Sequence, residues 1–296
     1  MNKLNLTPIP LEFMPKGHVH KLSGKRIPGV TTVSAFFEDD GWKFAWPVKI
    51  MEEKILQRLE EVAEMFDGQN RRKQVYLEDA IRVTQECKNS WREKRDKSAT
   101  QGTNAHDWIS SWVKNQIEST PSGISSVFLA DKEEQNCIDS FLAWEKSIKP
   151  EWMASEVQVG SMTHQFAGIL DAAAIINGKK VLVDFKTGDK VKLKDMKGNE
   201  FIKYSIVAQL AGLQLCLEEQ GFVPDERAIL HLPKEGKYEY VPVCTDVVQD
   251  QKDFLNALTF YRSKNLFQGR NKRIWVDHKP ADPELETDEP LLEEIK

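Results

Sequence analysis

The chain has 296 residues, 40% of them hydrophobic and 29% charged, with a formal net charge of −5. That is enough for one large domain or two small ones with a proper core. No stretch approaches the ~18 apolar residues needed to span a bilayer, and the opening MNKLNLTPIP lacks the apolar run of a secretory peptide, so the expectation is a protein of a reducing cytosol with no membrane partner.

In chain order, residues 18 to 33 predict a short hairpin turning at Ser23-Gly24. Residues 49 to 66 carry apolar side chains at 51, 55, 59, 62 and 66, a helical spacing with a charged opposite face. Further helices are expected near 74 to 96, 102 to 118 and 131 to 147, the last stopped at Pro150. Strands follow near 152 to 159, 164 to 176 and 179 to 186. A helix near 201 to 219 ends at Gly221, strands come near 227 to 232 and 238 to 243, and a helix spans about 247 to 263. The order, helices first and then hairpin strands with a crossing helix, predicts an α/β fold.

Within that plan the stretch GILDAAAIINGKKVLVDFKTG, residues 168 to 188, is unusual. Asn177-Gly178 between two apolar runs is a strong hairpin signal, because both central residues of a type I′ turn need positive φ. If these two residues form the loop, Ile176 faces Lys179 and Asp171 faces Asp184. Alternation then puts Leu170, Ala172, Ala174, Val181, Val183 and Phe185 on one face, and Asp171, Asp184 and Lys186 on the other. Opposed carboxylates repel at cross-strand distance and need a cation or a shared proton between them. A hard divalent ion with oxygen ligands fits that gap.

Acid-x-Lys triplets are frequent in this chain, among them Glu52 with Lys54, Asp195 with Lys197 and Asp250 with Lys252. Most lie in polar surroundings where a solvated charge explains them. Asp184 and Lys186 differ in following the apolar run Val181-Leu182-Val183 and in facing a third charge across the hairpin. His106 shares a helix face with Ile109 and Val113, so the residues alone leave open a core histidine or a metal ligand. Trp108 and Trp112 sit four apart on that helix, a spacing of core packing.

The pattern Gly168-x-x-Asp171, then an apolar strand ending Asp184-Phe185-Lys186-Thr187-Gly188, resembles the core of the PD-(D/E)XK nuclease superfamily, and within it the RecB-type and phage-type exonucleases. Gly102-Thr103-x-x-His106 looks like the family's Gly-x-x-x-His helix start. Glu156 in EVQV matches the acidic residue ahead of the Gly-x-x-Asp strand. Residues 18 to 37 are similar to the opening segment of phage nucleases and of the mitochondrial genome maintenance exonuclease group.

The resemblance spans residues 18 to 215. It departs from the family in two places: Gly29 stands in the usual serine position, and Leu213 stands four after Gln209 where a tyrosine is usual. It implies a restriction-endonuclease-like core, a central mixed sheet flanked by helices, at 151–280. Residues 1–150 would be an N-terminal hairpin and helical arm contributing His106, and 281–296 an acidic disordered tail.

As what the resemblance implies, Asp171 and Asp184 hold Mg²⁺ or Mn²⁺ with the Phe185 carbonyl, His106 and Glu156 complete the metal shell, Lys186 acts on the reacting phosphate, and Gln209 positions Lys186. A histidine ligand favours manganese tolerance. On spacing alone, a four-residue turn at Gly160 to Thr163 would pair Glu156 with Ala167, about four residues short of Asp171.

The expected activity is a DNA exonuclease acting on linear DNA with free ends in recombination or replication, in a bacterial or phage-infected cytosol, with a recombinase or single-strand-binding protein as a further partner. The alternatives are an endonuclease of the same superfamily and an inactive DNA-binding protein on its scaffold.

A net negative charge is at odds with a phosphate-binding partner. Residues 281 to 296 hold seven acids and one lysine, so the rest has 40 basic and 39 acidic side chains. Basic stretches at 269 to 275 and 190 to 203 could follow a phosphate backbone. Cys87, Cys137, Cys216 and Cys244 are widely scattered, so no zinc site and no iron–sulfur cluster is expected.

Overall fold

The computed structural model describes residues 4–38, 47–54, 58, 73–118, 131–188 and 190–277. The acidic tail at 281–296 and most of the expected helix beyond residue 54 lie outside the described residues.

A three-stranded antiparallel meander opens the chain: β1 (Leu11–Met14), β2 (Val19–Leu22) and β3 (Lys25–Ile27). Its second turn is at Ser23 and Gly24, both at positive φ. A short helix α1 (Val30–Ser34), a 3-10 turn (Ala35–Phe37) and a helical stretch at 47–54 (α2) follow. Next come α3 (Lys73–Glu118) and α4 (Lys132–Ile148). Asp131 caps α4 by accepting from the Glu133 N–H, and Lys149 ends it in a left-handed conformation just before Pro150.

The expected helices near 74 to 96 and 102 to 118 are one helix of 46 residues. Between them lies KSATQ, which contains neither proline nor glycine, so nothing interrupts the backbone ladder.

The main sheet has five strands in the order β10-β9-β6-β5-β4. Its members are β4 (Glu151–Ser161), β5 (Phe166–Ile176), β6 (Lys179–Lys186), β9 (Glu226–His231) and β10 (Glu239–Pro242). Only β6 and β9 run parallel, joined through α5 (Tyr204–Glu219), and the other pairs are antiparallel. A small hairpin, β7 (Lys192–Lys194) with β8 (Glu200–Ile202), precedes α5, and α6 (Val247–Asp277) closes the described chain. Sequence patterning does not predict β7 and β8, whose three-residue strands are too short to show alternation.

Both faces of the sheet are covered. On one side Ala173, Leu182 and Ile229 pack against Leu210, Leu213 and Leu217 of α5 and Phe254 of α6. On the other, Val181, Val183 and Phe185 pack against Ile109 and Val113 of α3 and Phe141 and Trp144 of α4. Leu170 belongs to the first layer and Ala172 to the second, so alternation slips beside Asp171. The expectation that Leu170 shares a face with Ala172 fails there. Across the ladder β4 has a register shift at Trp152/Ala154, and two residues further on Glu156 has φ 51°.

Two glycines permit close approach at the sheet. A Cβ on Gly168 would lie 2.8 Å from Leu213 Cδ2 and 2.9 Å from Val30 Cγ2, so α5 and α1 press directly on β5. A Cβ on Gly102 would lie 3.1 Å from Thr187 Oγ1, which brings α3 against the segment leaving β6. That seat is reinforced where Lys234, just past β9, donates to Ser98 Oγ at 2.6 Å and to Gln101 Oε1 at 2.7 Å on α3.

No described helix is long and apolar enough to cross a membrane.

Candidate metal centre

The Asn177-Gly178 turn, with φ 51° and 79°, sets the β5–β6 register from Ile176↔Lys179 to Ala172↔Val183. The next pair in that register is Asp171 with Asp184. On the other side of β5 the turn falls at residues 162–165, because Ser161 pairs with Phe166. This differs from a turn at Gly160 to Thr163, and the two-residue displacement moves the partner of Glu156 by four. With Ser155↔Ala172 and Val157↔Leu170 on either side, Glu156 stands across from Asp171 instead of Ala167.

Asp171 is therefore the middle of three acidic residues on neighbouring strands. The structure brings donor atoms of His106, Glu156 and Asp171 within 4.8 Å of one another. His106 reaches the group from α3, with Nδ1 3.9 Å from Asp171 Oδ2 and its ring edge-on to Phe185. Asp171 Oδ2 also accepts from the Phe185 N–H at 2.8 Å, which fixes its carboxylate at the end of the hairpin ladder.

Asp184 lies beside this group but is engaged by other partners. Only 1% exposed, it accepts at Oδ1 from Gln209 Nε2 at 3.0 Å and contacts Lys186 Nζ through Oδ2 at 2.6 Å. Lys186 Nζ in turn donates to Gln209 Oε1 at 3.2 Å. The ammonium can only donate and the carboxylate can only accept, so this ring fixes the orientation of the Gln209 amide. Gln209 projects from α5 and His106 from α3, so the site draws on helices from both faces of the sheet.

The electrostatics favour a cation. Burial pushes the Glu156 carboxyl up to about 7, with Asp171 adding to the rise and Lys114 opposing it. Burial also pushes Asp184 up, against the pull of Lys186 and with Asp171 adding to it. For Lys186, burial works against the ammonium, but Asp184 and Asp171 outweigh it and hold the pKa above its usual value. With all three carboxyls ionised, they exceed the Lys186 ammonium by two negative charges, so a divalent ion would favour their ionised forms over the protonated ones that burial promotes. Two carboxylates and one imidazole form a donor set better suited to Mn²⁺ than to Mg²⁺.

Two further placements bear on the site. Tyr204, at the start of α5, donates its hydroxyl to Asp253 on α6 at 2.7 Å. Leu213, in the position where the resemblance expects a tyrosine, packs against Gly168. Sequence reading passed over Lys114, whose charge reaches Glu156; its spacing of eight from His106 puts it about two turns along the same face of α3.

No protein-family model matches this chain, and no curated protein matches it. Among solved structures it is similar to one titled "Crystal structure of SSO0001", at 15% identity and a TM-score of 0.26, over 53% of this chain and 74% of that one. A likeness at that level carries no argument for fold or function.

Proposed function

We propose that the chain is a divalent-metal-dependent deoxyribonuclease of the PD-(D/E)XK kind, an exonuclease that hydrolyses phosphodiester bonds from the ends of linear DNA. On this reading the five-stranded sheet is the restriction-endonuclease-like core, and the N-terminal arm supplies His106. One observation carries the reading: His106, Glu156 and Asp171 converge within 4.8 Å beside an Asp184–Lys186 pair that Gln209 holds in place.

His106, Glu156 and Asp171 would hold the ion, with Asp184 and the Phe185 carbonyl at its margin. When bound, the cation offsets negative charge growing on the phosphoryl oxygens and makes water a stronger nucleophile. Lys186 presents an ammonium that is 27% exposed at the side chain and can orient water or meet the same growing charge. Gln209 acts through Lys186 and Asp184 as a positioning residue. Burial of Asp184 excludes water behind the pair, which strengthens its field at the phosphate.

The test is a time course on end-labelled linear DNA with Mg²⁺ or Mn²⁺, against EDTA. Wild type shortens the DNA from its ends, and Asp184→Ala and Lys186→Ala do not. Absence of metal-dependent degradation removes the nuclease reading, and rapid loss of covalently closed circles replaces the exonuclease with an endonuclease.

A further inference from the structure

We infer that the β7–β8 hairpin is a wedge that stacks on nucleic-acid bases, so that the site takes DNA whose terminal bases are unpaired; this rests on the nuclease reading above. The hairpin is the insert between the strand bearing Lys186 and the helix bearing Gln209. Val191 follows Lys186 by five positions, a reach of at most about 18 Å. At the other end Lys203 caps α5, and Gln209 follows six residues on, about 9 Å of helix. Both legs of the hairpin therefore spring from the elements that carry Lys186 and Gln209, β6 and α5.

Its frame is rigid. At the base, Val191 is buried in the main core, Ile202 packs on that core, and the Lys203 N–H donates to Val191 O at 3.0 Å. At the tip, Asp195 O accepts from the Gly198 N–H at 3.0 Å, while the Asp195 carboxylate accepts from the N–H groups of Lys197 and Asn199 and from Asn199 Nδ2. Those hydrogen bonds hold the carboxyl below its usual pKa.

This frame carries apolar side chains into solvent. Leu193 and Phe201 are cross-strand partners, 38% and 47% exposed, and Met196 at the tip is fully exposed. Lys192, on the alternate face, pairs with Glu239 of β10 and ties the hairpin to the main sheet. An exposed aromatic, a leucine and a methionine are side chains that unstack and cover bases.

Charge selects nucleic acid over protein as the occupant. Residues 190–203 contain five lysines; Lys192 pairs with Glu239 and Lys194 with Glu200, which leaves Lys190, Lys197 and Lys203 to meet a phosphate backbone. The Asp195 carboxylate is taken up by its own turn. Lysine is depleted at protein–protein interfaces, whereas a phosphate backbone calls for it.

The experiment uses the full chain in Ca²⁺, to bind without cutting, and DNA with 2-aminopurine at the duplex terminus beside a short single-stranded tail. Binding of wild type raises the fluorescence as the terminal base unstacks. The Leu193→Ser/Phe201→Ser double variant and, separately, Met196→Ser lose the rise and bind the tailed end about tenfold more weakly. Both keep the wild-type Tm, because the replaced side chains are exposed. A wild type that binds and degrades DNA without changing the fluorescence overturns the wedge and leaves the nuclease standing. No DNA binding at all overturns both. Unchanged DNA behaviour with reduced self-association of the variants marks a protein-docking face and also overturns the wedge.

Discussion

Glu156 stands across the β4–β5 ladder from Asp171, with donor atoms of both and of His106 inside 4.8 Å. Without an ion these carboxylates repel, and on the proposed reading a bound cation would turn the repulsion into ligation. Glu156→Gln should weaken Mn²⁺ binding at least tenfold, and Asp171→Asn should weaken it further, both measured by calorimetry.

The same pair makes metal-free stability depend on pH. Burial raises Glu156 from 4.5 to about 7, so between those values the native state holds a proton that the unfolded state has released. Stability therefore falls as pH rises through this window, and the full cost, at most about 3 kcal/mol, stands above it. In EDTA, Glu156→Gln should match wild type near pH 4 and exceed its Tm at pH 8. Adding Mn²⁺ at pH 8 should close that gap by raising the Tm of wild type.

Glu156 also holds φ 51° inside a strand, a conformation that costs a side-chain-bearing residue roughly 1 kcal/mol or more. Elsewhere in a strand glycine is less stable than alanine by about 0.5–1 kcal/mol. Here the order should reverse, with Glu156→Gly more stable than Glu156→Ala in urea unfolding. The usual order would mean that the left-handed backbone is absent.

Removing the ammonium beside Asp184 leaves a buried carboxylate without its counter-charge. Lys186→Met should destabilise the metal-free protein by about 3 kcal/mol at pH 8, and adding Asp184→Asn should recover most of it. Because this cycle reads stability, it stands apart from any loss of activity.

Gly168→Ala should cost about 1–3 kcal/mol, since its Cβ would enter the contact between β5, Leu213 and Val30. In a Leu213→Ala background the added methyl meets one obstacle fewer, and the penalty should shrink. Equal penalties in both backgrounds would show that α5 does not press on β5 there.

How far the sequence could be read depended on the turns. Asn177-Gly178 has a two-residue loop chemistry with one register, and β6 spans Lys179–Lys186 as the pattern predicts. The turn ahead of β5 carries no such signal: Gly160 looks like turn material but pairs within the strand opposite Ala167, and the positive φ falls on Gln165. That error alone kept Glu156 about 13 Å from Asp171 in the sequence reading. The positive φ at Glu156 has no local signature, because EVQV alternates like any strand and contains no glycine or asparagine. Gln209 was found through a motif, but its bridging of Asp184 and Lys186 depends on how α5 lies on the sheet, which spacing along the chain does not encode.

The contact of Gly102 with Thr187 lies one helical turn before His106. An imidazole carried on a 46-residue rod reaches its partners only as well as that rod is docked, and the bare Cα sets the docking distance. Lys234 grips the same rod at Gln101, next to that glycine, and at Ser98, one turn earlier still. Loosening either clasp would swing the nitrogen donor away while leaving the carboxylates of the sheet untouched, so the completeness of the proposed coordination shell would be governed from outside it.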